Sequence, residues 1–179
     1  MTQAAEVYGQ ALYSLARDEQ ISREILQQLS LLDEVCAQQP DFLRLLSSAN
    51  LTKQERCQIV DDSFRESFHP YVVNFLKILT EKGYIRQLSQ CYRVFRRLYN
   101  EENGILPVRA ATAVPLTQQQ KEKLTGKLCE VTGKTVDLIC QVDASCLGGV
   151  RLDFDGQRLD GTVRHRLDDL RTILKNTVL

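Results

Sequence analysis

The hydrophobic period changes once along this chain, at Asn103-Gly104, and that change limits what the chain can fold into. Before it, apolar residues recur every three to four positions, the period of a helix with one buried face. After it they alternate, the period of a strand. A chain patterned this way predicts two parts of different class: a helical domain over 1–103 and a small α+β domain over 104–179.

The first part reads as six helices. Ala4, Tyr8, Ala11, Leu12 and Leu15 follow helical spacing, as do Ile25, Leu29, Leu32 and Cys36. "QQPDFLRLL" restarts a short helix after Pro40, with Asp41 as its cap. Thr52 and Glu55 have capping-box spacing, in which each side chain satisfies a backbone N–H of the other residue. Ile59, Val60 and Phe64 carry that helix inward until His69-Pro70 breaks it. Val72, Phe75, Leu76 and Leu79 form a fifth stripe, and Leu88, Cys91, Phe95 and Leu98 a sixth. Short connections between short helices predict a compact antiparallel six-helix bundle.

The second part reads strand, helix, strand, strand, helix. Val108, Ala110, Thr112 and Val114 share one face of a strand. Thr117 and Gln120 form a second capping box, followed by a stripe of Leu124, Leu128 and Val131 that Gly133 ends. Val136, Leu138, Cys140 and Val142 alternate inward, and so do Val150, Leu152 and Phe154. Asp155-Gly156 is a hairpin signal. The last helix starts after Asp160-Gly161, with a stripe of Val163, Leu167, Leu170 and Leu174. The fold class is thus mainly α, a helical bundle followed by a small α+β domain joined by a short connection near 102–106.

Charge and composition narrow the function classes. Lys+Arg and Asp+Glu both number 23. Residues before Gly104 carry 12 basic against 14 acidic side chains, and those after it 11 against 9. Neither half has the strongly basic face that nucleic-acid binding demands. No run of 18 apolar residues predicts a membrane span, and the N-terminus lacks the pattern of a signal peptide. The six cysteines, 36, 57, 91, 129, 140 and 146, form no Cys-x-x-Cys, so they read as buried reduced thiols and not as a zinc site.

Two glycine-bearing motifs invite a phosphate reading. "TGKT", Thr132–Thr135, lacks the upstream glycine of a phosphate loop (Leu128 stands there), and it closes a helix instead of opening one. It reads as a helix C-cap. In "LGGVRLDFDGQRLDGTVRHRLDDL", Gly148-Gly149 precedes a strand, which fits a bulge or a close backbone approach. Gly156 fits the hairpin turn, and Asp160 caps the last helix before Gly161, where its charge would repel phosphate. Neither His69 nor His165 has a nucleophile or base partner evident in the sequence, so no catalytic residue is assigned. Asp61-Asp62 and Asp168-Asp169 read as solvated helix faces, and Arg93–Arg97 and Arg164–Arg166 as solvated faces or ion pairs. An alternative from these basic groups is a nucleic-acid-binding or other helical adaptor.

Four stretches carry a resemblance that spans the chain. They are "VYGQALYSLA", "PYVVNFLKILTEKGYI", "AVPLTQQQKEKL" and "DASCLGGVRLDFDGQRLDGTVRHRLDDL". Together they resemble the delta subunit of bacterial F-type ATP synthases, the family of the oligomycin-sensitivity-conferring protein. The chain departs from the family's habit at Val7 (often Arg), Gly9 (usually Ala), Thr162 (commonly Ser) and His165 (usually Gly). The resemblance implies a non-catalytic stator subunit, one copy per complex, without a cofactor or metal. It would sit peripherally at the cytoplasmic face of the bacterial plasma membrane. It implies that the first domain receives the N-terminal helices of the alpha subunits and the second holds the b subunits of the peripheral stalk, with no nucleic acid bound. It places the head contact on the first and fifth helices, at Tyr8, Ala11, Leu12, Leu15, Asn74, Phe75 and Leu76, where Tyr8 and Asn74 could hydrogen-bond a docked helix. It makes Gly148, Gly149, Gly156, Asp160, Gly161, Arg166 and Leu167 the framework of the second domain.

Overall fold

A computed structural model describes residues 2–48, 50–154 and 156–162. Contacts divide the chain into two units, 1–99 and 100–179. The expected final helix, with Arg166, Leu167, His165 and the Asp168-Asp169 pair, lies outside the described residues.

The first unit is helical: α1 (Gln3–Asp18), α2 (Ser22–Gln38), α3 (Pro40–Leu46), α4 (Lys53–Phe64), α5 (Pro70–Glu81) and α6 (Leu88–Glu102), which runs just past the unit boundary. Three of these starts have a clear local cause. The Thr2 hydroxyl accepts the Ala5 N–H to cap α1. Thr52 and Glu55 close both halves of the capping box on α4. α5 begins with Pro70 in its first turn, where a missing N–H costs nothing. α3 differs from expectation. Pro40 itself is the first helical residue, Gln39 precedes it without a side-chain cap, and Asp41 instead pairs with Arg44 one turn on.

One core joins these helices. Ile25, Leu29 and Leu32 of α2, Val60 of α4, Val72 and Leu79 of α5, and Leu88, Val94 and Phe95 of α6 are almost wholly removed from water. Phe95 meets Tyr13 edge-on at 5.2 Å between ring centres, a geometry that adds to the area term. The inward face of α1 is rotated from the predicted one. Ala5, Leu12, Tyr13 and Ala16 are buried, while Ala11 and Leu15 face out.

The second unit holds β1 (Ile105–Thr112), α7 (Gln118–Thr132), β2 (Thr135–Val142), β3 (Val150–Phe154) and β4 (Gln157–Asp160). The described sheet has four strands, one more than the sequence reading gave, because "QRLD" after the Gly156 turn pairs with β3. Strand order is β2-β1-β3-β4. β1 and β2 are parallel and joined through α7; β1–β3 and β3–β4 are antiparallel. Leu106, Val108, Ala110, Val136 and Leu152 form the buried centre, covered by Leu124 and Leu128 of α7.

In the second unit three predicted inward residues are exposed. Val114 is 68% exposed, because β1 ends at Thr112, whose hydroxyl donates to the Val114 carbonyl in a turn. Val142, the last residue of β2, is 53% exposed, and Val131, next to last in α7, is 85% exposed.

Candidate partner-binding site

α1 is apolar on two sides. Its inner side fills the core; its outer side presents Val7, Ala11 and Leu15, spaced i, i+4, i+8 along about 12 Å of helix. Val7 is 59% and Leu15 42% exposed. A helix apolar on one side only would be complete against its core; a second apolar side is one that water should not keep.

α5 repeats the arrangement on a smaller scale. Val72, Val73, Phe75, Leu76 and Leu79 are buried, while Asn74 and Ile78, four residues apart, point outward. Of the seven expected head-contact residues, Leu12, Phe75 and Leu76 therefore lie in the core, Tyr8 is half-buried, and Ala11, Leu15 and Asn74 are on the surface.

A tyrosine pair links α1 to the turn after α5. Gly83, with φ +77°, lets the chain turn sharply after α5. The Tyr84 N–H then donates to the Leu79 carbonyl at 2.7 Å. That turn sets the Tyr84 ring 5.9 Å from the Tyr8 ring, tilted by 47°. The N-terminal half of α1 thus meets the turn that follows α5. Sequence reasoning missed Val7, Ile78 and Tyr84 here. Val7 and Ile78 fall one turn from Ala11 and Asn74, so a search for a second apolar stripe on each helix would have found them.

Polar contacts hold both helices from the side. Arg97 of α6 pairs with Glu6 of α1, and the Thr2 hydroxyl donates to Gln87. Lys77 of α5 pairs with Asp61 of α4 at 2.7 Å, both about two-thirds covered. Asp61 is therefore a partnered carboxylate and not the solvated one expected, while Asp62 stays exposed beside Gln58. His69, read only as part of a helix break, also caps α5: its Nδ1 accepts the Tyr71 N–H, and its own N–H donates to the Gln28 side chain. In "RVFRR", Val94 and Phe95 are core residues and Arg97 is the ion-pair partner of Glu6.

The glycines of the second unit serve backbone geometry. Gly149 has φ +79°, and a Cβ there would sit 2.4 Å from the Gly161 carbonyl oxygen. Gly161 N–H in turn donates to the Val150 carbonyl at 3.0 Å. The start of β3 and the end of β4 thus touch backbone to backbone, which the close-approach reading of Gly148-Gly149 anticipated. Gly156 turns the hairpin at φ +74°. The Asp160 carboxylate accepts from both the N–H and the hydroxyl of Thr162. Beside this frame, hydrogen bonds from Ser145, together with nearby Arg151, hold the Asp143 carboxyl below its usual range.

The remaining motifs read as structure. Gly133 takes the left-handed conformation and its N–H closes α7 on the Cys129 carbonyl, so "TGKT" is a helix end. All six cysteines are free; Cys36, Cys91 and Cys146 are buried, and the thiol of Cys91 is pushed up to about 11 by burial. Among the described residues no group of three or more His, Cys, Asp or Glu is placed to hold a metal, and no helix is long and apolar enough to cross a membrane.

Comparison with known proteins gives the family. The family model of the ATP synthase delta (OSCP) subunit matches residues 4–174. The ATP synthase subunit delta of Clostridioides difficile is 28% identical over 175 residues, 97% of each chain. That of Enterococcus hirae is 31% identical over 168 residues, 93% of each. A chain in the cryo-EM structure of the Toxoplasma gondii mitochondrial ATP synthase hexamer superposes with a TM-score of 0.77 over 97% of this chain and 98% of its own, at 20% identity, a likeness of fold.

Proposed function

The chain belongs to the ATP synthase delta (OSCP) subunit family, and we infer from that membership that it is a non-catalytic stator subunit. In this reading it joins the catalytic head to the peripheral stalk, so that ion-driven rotation is coupled to ATP synthesis and not lost by spinning the head. One copy serves each complex, peripheral at the cytoplasmic face of the bacterial membrane. The chain makes and breaks no bond; it carries load.

The observation that carries the reading is the second apolar side of α1. Val7, Ala11 and Leu15, with Asn74 and Ile78 of α5 and the Tyr8–Tyr84 pair, offer a surface suited to one more amphipathic helix. The six helices act as a bundle that leaves a seventh position open. Its occupant is the N-terminal helix of an alpha subunit of the head. Leu12, Phe75 and Leu76 lie in the core, and the outward residues make the contact. Holding against torque calls for an interface of at least standard size, roughly 1,600 Å² in total. The second unit takes the stalk's b subunits, on a face held by the Gly149–Gly161 contact.

Leu15→Asp and Ile78→Asp test the groove. Both side chains are exposed, so each variant keeps its fold. Calorimetric titration with a peptide of the alpha-subunit N-terminus should show tight binding to the wild type and a loss of at least about tenfold in each variant. Equal binding by all three proteins would remove the groove from the account.

A further inference from the structure

Gly9 lies on the inner side of α1, against α6. A Cβ at this position would be 2.8 Å from the Val94 Cβ and 2.9 Å from the Cys91 carbonyl oxygen, where ordinary contact is 3.4–4 Å. The opposing group is partly helix backbone, which does not swing aside as a side-chain tip does. Ala5 and Ala16, fully buried, and the Tyr13–Phe95 contact hold α1 down on either side of this point. Tyr8, the residue just before it, carries the ring that meets Tyr84. The depth at which α1 sits on α6 therefore sets where Tyr8, and Val7 and Ala11 around it, stand relative to α5.

We propose that Gly9 is a positioning residue for the helix-binding groove: by carrying no side chain it seats α1 on α6 and fixes the spacing between the outward faces of α1 and α5. The inference rests on the groove reading above. A glycine in mid-helix weakens that helix relative to alanine, so local helix stability alone would favour alanine here. What alanine removes is the close seat. Restoring ordinary contact lifts this part of α1 by roughly 0.5–1 Å, and a gap of that size forfeits a quarter to a half of the dispersion attraction across an apolar contact.

The test compares wild type, Gly9→Ala, Ile78→Asp and the double variant Gly9→Ala/Val94→Gly, which removes the Val94 side chain from the contact and leaves the Cys91 carbonyl. Each full chain is titrated with the alpha N-terminal peptide at a temperature where unfolding curves show it folded. The Tyr8–Tyr84 inter-ring NOE is read in parallel. Gly9→Ala should bind at least about tenfold more weakly, with a weaker inter-ring NOE, and the double variant, relieved of the Val94 contact alone, should recover part of both. A purely structural role would shift the unfolding midpoint and leave the affinity of the folded protein unchanged; that result, or a double variant no tighter than Gly9→Ala, overturns the proposal. If Gly9→Ala does not fold alone, the folded double variant must bind within about tenfold of wild type, and failure to bind overturns it. Loss of binding in Ile78→Asp with wild-type affinity in Gly9→Ala rejects this inference and leaves the groove standing. A wild type that does not bind the peptide removes both.

Discussion

Gly149→Ala should loosen one end of the second unit's sheet and leave the first unit untouched. Two costs add. An alanine held at φ +79° pays roughly 1–2 kcal/mol for the left-handed conformation. Its Cβ would also stand 2.4 Å from the Gly161 carbonyl oxygen and 3.0 Å from the Thr162 Cα, both backbone atoms. Relief requires the end of β4 to move off β3, breaking the Gly161 N–H bond to Val150, worth about 1 kcal/mol net. Together the loss is about 2–3 kcal/mol, or roughly 30- to 150-fold in an opening equilibrium. Hydrogen exchange followed by mass spectrometry should register it as faster exchange in peptides covering Val150–Leu152 and Gly161-Thr162. The tyrosines supply an internal control, since all six, at positions 8, 13, 71, 84, 92 and 99, lie in the first unit. Tyrosine fluorescence should report an unchanged urea midpoint. Unaltered exchange around β3, or a shift confined to the tyrosine signal, would refute the claim that this contact frames the sheet.

Three further outcomes follow from particular contacts. Phe95→Ala removes a fully buried ring and the edge contact to Tyr13, and should cost about 3–5 kcal/mol, read as a large drop in the urea midpoint of the tyrosine signal. Thr117→Ala removes the cap of α7 and should cost about 1 kcal/mol, seen as faster exchange in the first turn after Gln118 while α4, with its own Thr52 box, is unaffected. The Asp143 carboxyl is held down first by its hydrogen bonds from Ser145 and then by Arg151, so it stabilises the folded turn above the ordinary carboxylate value near 3.9 and loses that effect as pH falls through its lowered folded value. Acidification below pH 4 should open the Asp143–Cys146 turn in wild type, and Asp143→Asn should flatten that dependence.

Much of the fold was legible because it rests on periodicity and local chemistry. The change of period at Asn103-Gly104, both capping boxes, the Gly133 helix end and the Gly156 turn are all written in short windows. The rotation of α1 was not. With Ala4, Ala5, Val7, Tyr8, Ala11, Leu12, Tyr13, Leu15 and Ala16, nearly every side of that helix is apolar, and spacing alone cannot choose which side faces the core. The choice is made by α6, whose Val94 and Cys91 leave room only for Gly9. The outward side was then hidden in plain view, because Val7, Ala11 and Leu15 look like core residues until the core is filled without them. Val114, Val131 and Val142 failed as inward residues for a related reason: alternation and helical spacing run to the ends of elements, but cover by a neighbour does not.

The central claim is that this chain joins a catalytic head to a stalk, and bridging measures it directly. A head preparation stripped of its own delta-type subunit is mixed with the soluble part of the b subunits, with and without the full chain, and sedimented. The account predicts that head and b sediment together only when the chain is present, with one copy of the chain per complex. It predicts that Leu15→Asp separates the chain from the head while the chain still holds b. Co-sedimentation of head and b without the chain, or no binding of the chain to the head, would contradict it.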